Sequence, residues 1–249
     1  MKKISKLGIF DSGLGGYTVY QDLKEHFPKL STTLYADQKH APYGNYDNET
    51  ITALAINAMK WFEDNDIKDV LLACNTVTSV ALDILKERYP NMRIWGIIDL
   101  TISQLPKDTK TVGVVATSAT INAHAYQKAL ESSFEGINVI ELPLKNLANA
   151  IESLAKDEDV DRMIEKPLED MSDAEYIILG CTHYPLVKNR FEHYSKSKFI
   201  DSILPIREFI GHNYLETDIE SHIVTTKDAE EFKNQIRTLY RVEEKVEKV

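Results

Sequence analysis

The sequence predicts an α/β protein of two pseudo-symmetric halves, each built on a mostly parallel sheet, with a cleft between them. Three observations predict it. Short apolar runs alternate with longer amphipathic segments along the chain, as in strand–helix units of a parallel sheet. The pattern restarts near residue 111. The chain's 2 cysteines, Cys74 and Cys181, hold matching places in the two runs, each after an apolar strand and before polar residues.

Taken in order, KLGIF (6–10) reads as a strand, feeding DSGLGG and a helix over about 17–26. TLYAD (33–37) is a second strand. Over 49–63 the apolar positions Ile51, Leu54, Ala55, Ala58 and Phe62 keep helical spacing. DVLLAC (69–74) is continuously apolar, as a buried parallel strand requires. A helix over 79–89 stops at Pro90, and RIWGII (93–98) is the next strand. In the second half TVGVVA (111–116) is a strand and TSAT (117–120) a turn. A helix follows over 121–131, then the strand INVIEL (137–142). Helices are expected over 147–154 and within 158–171, then strands at EYIILG (175–180) and KFIDS (198–202). Phe232, Ile236 and Leu239 mark a closing helix over 228–241, and the charged tail VEEKVEKV reads as frayed. The separation from Gly8 to Cys74 nearly matches that from Gly113 to Cys181, which suggests duplication. The break near 100–109 is the natural boundary.

The totals narrow the function. A chain of 249 residues, 43% of them hydrophobic, can bury a sizeable core. No apolar stretch reaches the length of a membrane span, and the N-terminal MKKISKLGIFDSG lacks an apolar signal region. A soluble, cytoplasmic chain with free thiols is expected. The net charge of −10 argues against binding nucleic acid or anionic membrane. It does not argue against a small acid held by backbone N–H groups at helix N-termini.

Ligands of open parallel sheets bind beyond the carboxyl ends of the strands. Asp11-Ser12, Asn75-Thr76, 117–120 and Thr182-His183 fall there, in the layer of both thiols. One cysteine at a strand end reads as a small core residue. Two in matched settings, on opposite walls of one cleft, suit removal of a proton from one face of a carbon and its return to the other. A thiol has an ordinary pKa of ~8.5 and becomes a usable base once its thiolate is favoured. His183 is placed to favour it for Cys181, and Asp11 could serve the Cys74 side or orient a substrate ammonium. Plainer readings stand beside these: Asp11 and Ser12 as helix caps, PYG (42–44) as a simple turn, the tail as a solvated face. The Cys-x-His pair lacks further ligands at metal spacing, so no metal is expected.

The segments GIFDSGLGGYTV, APYG, LLACNTVTSVAL, VGVVATSATINAHAYQKAL and IILGCTHYPL occur in this order. They resemble the glutamate racemases of the cofactor-independent aspartate/glutamate racemase superfamily. The resemblance runs over about 6–191, and CNT and CTHYP are its most specific parts. It implies two α/β domains, residues 1–98 with about 207–249, and 99–206, the end of the chain returning to the first. It implies a two-thiol mechanism without pyridoxal phosphate or other cofactor, D-glutamate made for peptidoglycan, and a homodimer. Carried over by position, Cys74 and Cys181 are the acid/base residues, on the D and L sides respectively, supported by Asp11 and His183. Ser12, Asn75, Thr76 and Thr182 hold the α-carboxylate and ammonium. Pro42, Tyr43, Gly44 and Thr120 line the side-chain end. Glu152 is the nearest match to a further family glutamate and joins the catalytic candidates.

The sequence also departs from the family pattern. ADQKHAPYG has His40 where the family has arginine and Ala36 where it has glycine, and Asp99, Leu100 and Thr101 replace a proline-glycine element. These loops leave aspartate or another acidic amino acid as an alternative substrate. A relative that binds a small acid or DNA gyrase without turnover is the alternative of another class. The retained thiol pair speaks against it.

Overall fold

The computed structural model describes residues 3–249. The expected first domain starts at residue 1, so its first two positions lie outside the described residues. In the first half, β1 (Lys6–Asp11), α1 (Gly15–His26), β2 (Ser31–Ala36), α2 (Asn48–Asp64), β3 (Asp69–Leu72), α3 (Asn75–Arg88), β4 (Arg93–Gly96) and α4 (Ile98–Ile102) follow in order. The second half repeats the plan with β5 (Thr111–Ala116), α5 (Ser118–Asn122), α6 (Ala125–Ser133), β6 (Asn138–Pro143), α7 (Leu147–Glu152), α8 (Asp157–Glu169), β7 (Tyr176–Gly180), α9 (Lys188–Tyr194) and β8 (Lys198–Ile200). The chain closes with α10 (Ile203–Asn213), β9 (His222–Thr225), α11 (Ala229–Tyr240) and β10 (Val246–Lys248).

Among the described residues these strands form two sheets, ordered β10-β9-β2-β1-β3-β4 and β6-β5-β7-β8. All their pairings are parallel. The order β2-β1-β3-β4 is reproduced by β6-β5-β7-β8, so the repeat seen in the sequence is a repeat of topology. The α/β expectation of two similar parallel halves holds.

Each sheet is covered on both faces, and strand alternation decides which side chain goes where. Leu7, Ile9, Leu34 and Leu71 face α1, α10 and α11 through Tyr20, Leu23, Ile206, Ile210, Phe232 and Ile236. Phe10, Val70, Leu72 and Ile94 face α2 and α3 through Ile51, Ala55, Phe62, Val77 and Leu85. In the second sheet Val115, Ile177 and Leu179 face α7, α8 and α9, while Val112, Val114 and Ile178 face α4 and α6. Gly8 and Gly113 occupy matching positions on the two central strands. A Cβ on Gly8 would lie 2.7 Å from the Phe62 ring, and one on Gly113 2.7 Å from Met171 Sδ. In both halves a helix-side residue presses directly on the strand backbone.

The structure corrects several element boundaries. RIWGII does not run as one strand: β4 stops at Gly96, and Ile98 already belongs to α4. The helix expected over 121–131 is broken into α5 and α6 by His124, which has left-handed φ of 52°. Cys74 is not a strand residue but the N-cap of α3, so that helix starts four residues before the expected 79. The tail is not frayed: Val246–Lys248 pairs with Ile223–Thr225 as the edge strand of the larger sheet. The segment 203–225, left without regular structure by the sequence, holds α10 and β9.

Candidate active site

The carboxyl ends of the two sheets meet, and each contributes strand-to-helix junctions to one cleft. From the six-stranded side come Asp11, the last residue of β1, and Ser12 and Gly13 after it. Cys74, Asn75 and Thr76 start α3. From the four-stranded side come Thr117, which caps α5 by accepting the Thr120 N–H, and the Cys181–His183 segment after β7. The cleft is lined by both thiols together with Ser12, Tyr43, Asn75, Thr76, Glu152 and Thr182, among others. Cys74 and Cys181 are free and buried, 5% and 7% exposed.

The two thiols have different neighbours. Cys74 Sγ lies 3.6 Å from the Ser12 hydroxyl, to which it donates. Burial pushes this thiol up to about 12, and the Asp11 carboxylate adds to the rise, so the resting group is protonated. Cys181 Sγ lies 3.6 Å from His183 Nδ1. The other ring nitrogen of His183 is 2.8 Å from Glu152 Oε1. Burial alone would lower this imidazole, but the Glu152 carboxylate and the Cys181 contact outweigh it and hold His183 well above its usual value. Burial acts on Glu152 in the opposite sense, and His183 together with the Leu14 amide keeps that carboxyl below its ordinary range.

Asp11 is fully buried. Its Oδ1 accepts the Gly13 N–H at 2.9 Å, and its Oδ2 accepts the Thr182 hydroxyl at 3.1 Å from the opposite sheet. Burial raises its carboxyl to about 6, although His183, Gly13 and Thr182 each pull it down. The sequence reading set Asp11 beside Cys74; the structure also ties it to the loop carrying Cys181.

Three threonine hydroxyls close another side of the cleft. Thr76 Oγ1 lies 2.9 Å from Thr117 Oγ1 and 3.2 Å from Thr120 Oγ1, and the last two are 2.9 Å apart. The Tyr126 hydroxyl donates to Asn75 Oδ1 at 2.7 Å, and the buried Asn75 Nδ2 has no partner among the described residues. An unmatched buried N–H is costly and is the feature expected of a donor reserved for a ligand. Pro42, Tyr43 and Gly44 form the remaining wall, and Gly44 packs against Thr117 so closely that a Cβ there would lie 2.8 Å from Thr117 Cβ.

The residues singled out in the sequence are thus brought together. Thr120 reaches the cleft through its hydroxyl contact with Thr76. Sequence reasoning placed Thr117 in the ligand-facing segment 117–120 without naming it a site residue, and left out Ala148 and Asn149, which sit on the cleft wall through α7. The Thr117-Ser118-Ala119-Thr120 capping pattern was the available signal for the first; nothing marked the other two. Among the described residues no three His, Cys, Asp or Glu side chains are grouped to hold a metal ion, and no helix is long and apolar enough to cross a membrane.

A two-sheet α/β chain with paired thiols in its cleft has close relatives. The model of the Asp/Glu/Hydantoin racemase family matches residues 16–204, and the chain belongs to this family. Within the family its likeness is to glutamate racemases. It is 38% identical over 192 residues to the glutamate racemase of Lactobacillus helveticus (strain DPC 4571), covering 74% of this chain and 70% of the relative. It is 30% identical over 246 residues to that of Lactobacillus acidophilus, covering 93% and 92%. The crystal structure of glutamate racemase from Francisella tularensis in complex with D-glutamate superposes with a TM-score of 0.90 at 27% identity, covering 98% of this chain and 97% of that one.

Proposed function

We propose that this chain is a glutamate racemase that interconverts L- and D-glutamate by proton transfer at Cα between two cysteines, without a cofactor, and supplies D-glutamate for peptidoglycan. The observation that carries the reading is the thiol pair: Cys74 and Cys181 come from different sheets, line one cleft, and each has its own polar partner. One thiolate takes the Cα proton and becomes a thiol, leaving a carbanion. The opposite thiol delivers its proton to the other face and becomes the thiolate. Protons and charge balance, and the enzyme ends in the state that accepts the product enantiomer.

In this reading Cys74 acts on the D enantiomer and Cys181 on the L enantiomer, with His183 able to pass a proton to Cys181 and Asp11 to orient the ammonium. Glu152 holds His183. Asn75 Nδ2, Ser12, Thr76 and Thr182 hold the α-carboxylate and ammonium, and Pro42, Tyr43, Gly44 and Thr120 surround the distal carboxylate. Donors already in place in a water-poor cleft stabilise the developing carbanion and its carboxylate. We divide the chain into residues 1–98 with about 207–249, and 99–206, and take the protein to be a cytoplasmic homodimer that needs neither nucleic acid nor membrane.

The test is exchange in D₂O. Purified protein without pyridoxal phosphate is incubated with each enantiomer of glutamate and aspartate, while NMR follows the Cα proton and circular dichroism follows inversion. Exchange with inversion on glutamate supports the proposal. Exchange confined to aspartate reassigns the substrate. No exchange on any of the four, from folded and reduced protein, removes the racemase reading.

A further inference from the structure

Behind the Pro42–Gly44 wall lies a second polar cluster, centred on a carboxylate that the racemisation chemistry does not use. Asp37 follows β2 and is 3% exposed. Its side chain receives three donors. The Tyr43 hydroxyl reaches Oδ2 at 2.5 Å, the Thr226 hydroxyl reaches Oδ1 at 2.6 Å, and His40 Nδ1 stands 2.9 Å from both oxygens. The Asp37 backbone N–H donates to the Asp11 carbonyl at 2.9 Å, so the cluster is also tied to the end of β1. A carboxylate taken out of water is stable only when donors satisfy it, and such charge-assisted bonds are short and directional.

The donors come from two parts of the chain far apart in sequence. Tyr43 and His40 belong to the loop that lines the cleft. Thr226 follows β9, in the C-terminal return. Further bonds run along the same seam: the Lys39 N–H donates to Thr226 Oγ1 at 3.1 Å, the Thr226 N–H to the Ala36 carbonyl at 3.2 Å, and the Thr225 hydroxyl to Gln38 Oε1 at 3.1 Å. Gln38 Nε2 in turn donates to Gln235 Oε1 on α11 at 2.7 Å. The loop makes a polar seam with the C-terminal segment. The Tyr43 ring, 1% exposed, is pinned by its hydroxyl to Asp37, so that hydroxyl is committed away from the cleft.

We propose that Asp37 is a positioning residue for substrate: it fixes Tyr43 and the 42–44 wall, and Thr226 of the C-terminal return holds Asp37 in place. This rests on the function proposed above for the cleft itself. The chemistry lies elsewhere, so loss of the cluster loosens the wall without removing a proton-transfer group. The effect falls on substrate capture more than on turnover at saturation.

The experiment pairs amide hydrogen exchange of the ligand-free protein with racemisation kinetics, on Asp37→Asn, Thr226→Val and Thr226→Ser. An asparagine has one acceptor oxygen in place of two and no charge, so in D37N the Tyr43 or Thr226 hydroxyl must turn to accept from the amide, and the charge-assisted bonds are lost. T226V removes the hydroxyl at nearly constant volume, and T226S restores it. The expected result is amide exchange over residues 38–46 faster by about fivefold or more in D37N and T226V, with β5–β8 unchanged as the internal control. KM for glutamate should rise about tenfold in D37N, less in T226V, with kcat within about threefold of the parent and T226S close to the parent. Unchanged exchange over 38–46 in both variants overturns the proposal. So does a KM that stays at the parental value, an equal loss of protection in β5–β8, or T226S behaving as T226V. If the parent protein does not racemise glutamate, the proposed function falls separately, and the exchange over 38–46 still decides whether Asp37 holds the loop.

Discussion

Glu152 and Leu14 meet across the two sheets. The carboxylate on α7 takes the Leu14 N–H at 2.7 Å, at the start of α1, while the same oxygen holds His183 Nε2 at 2.8 Å. One atom therefore links the packing of the two halves to the protonation of the imidazole beside Cys181. Replacing Glu152 with Gln keeps the shape but removes the charge. Burial then governs His183, and its pKa should fall, as read by NMR titration of the imidazole. The sign for stability follows. A His raised in the folded state stabilises fully below its ordinary value of 6.5 and loses that contribution as pH rises through the folded value. In E152Q this high-pH loss should disappear, and an unaltered titration would refute the assignment.

Each thiol is expected to be indispensable. Cys74→Ala and Cys181→Ala should each lower racemisation by roughly two to four orders of magnitude, the usual contribution of an acid/base group. Both side chains are small, so circular dichroism should show an intact fold. Near-normal turnover in either variant would eliminate the two-base mechanism.

Burial of Asp11 costs stability once its carboxyl is ionised. Its ordinary value of 3.8 rises to about 6 in the fold. A carboxyl raised in this way favours folding fully below 3.8, and the stability declines as pH climbs through 6, by on the order of 3 kcal/mol once the group is ionised. Asn at this position can still accept the Gly13 N–H and donate to Thr182. Asp11→Asn should therefore melt higher than the parent above pH 6, with the gap closing toward pH 4, while racemisation falls at least tenfold. A lower melting temperature at pH 7 would contradict the burial argument.

The join between the halves has no spare room at Gly15. A Cβ there would strike Thr182 Oγ1 and sit 2.7 Å from Thr182 Cβ and 2.8 Å from His183 Nδ1. These atoms are held by Asp11, Glu152 and Cys181. Gly15→Ala should separate α1 from the 181–183 segment and cost at least about tenfold in kcat/KM, because small displacements of positioned groups are expensive. Activity equal to the parent would mean that the two walls are not held at the separation seen here.

Periodicity revealed the eight strands of the repeat, most clearly the central β1, β3, β5 and β7, which are buried on both faces and read as apolar runs. The junction residues were recognisable for a related reason. Polar residues placed straight after such runs must lie at strand ends, where parallel sheets bind ligands. β10 escaped because Val246–Lys248 is an edge strand with exposed charged residues. The break between α5 and α6 depends on one left-handed residue, His124, whose type does not announce it. The Glu152–Leu14 and Asp37–Thr226 bonds join residues remote in the chain, and no local pattern encodes them.

The unequal surroundings of the two thiols, a serine hydroxyl at one and an imidazole at the other, meet a constraint from outside the protein. Mirror-image amino acids have identical free energies in water, so the equilibrium constant between them is one, and the Haldane relation requires equal kcat/KM in the two directions. Whatever Ser12 gives Cys74 and His183 gives Cys181, the difference can only be divided between kcat and KM. A substitution confined to one wall must change both directional efficiencies by the same factor. The asymmetry of the site thus governs which enantiomer saturates it first, not which one it consumes faster at low concentration.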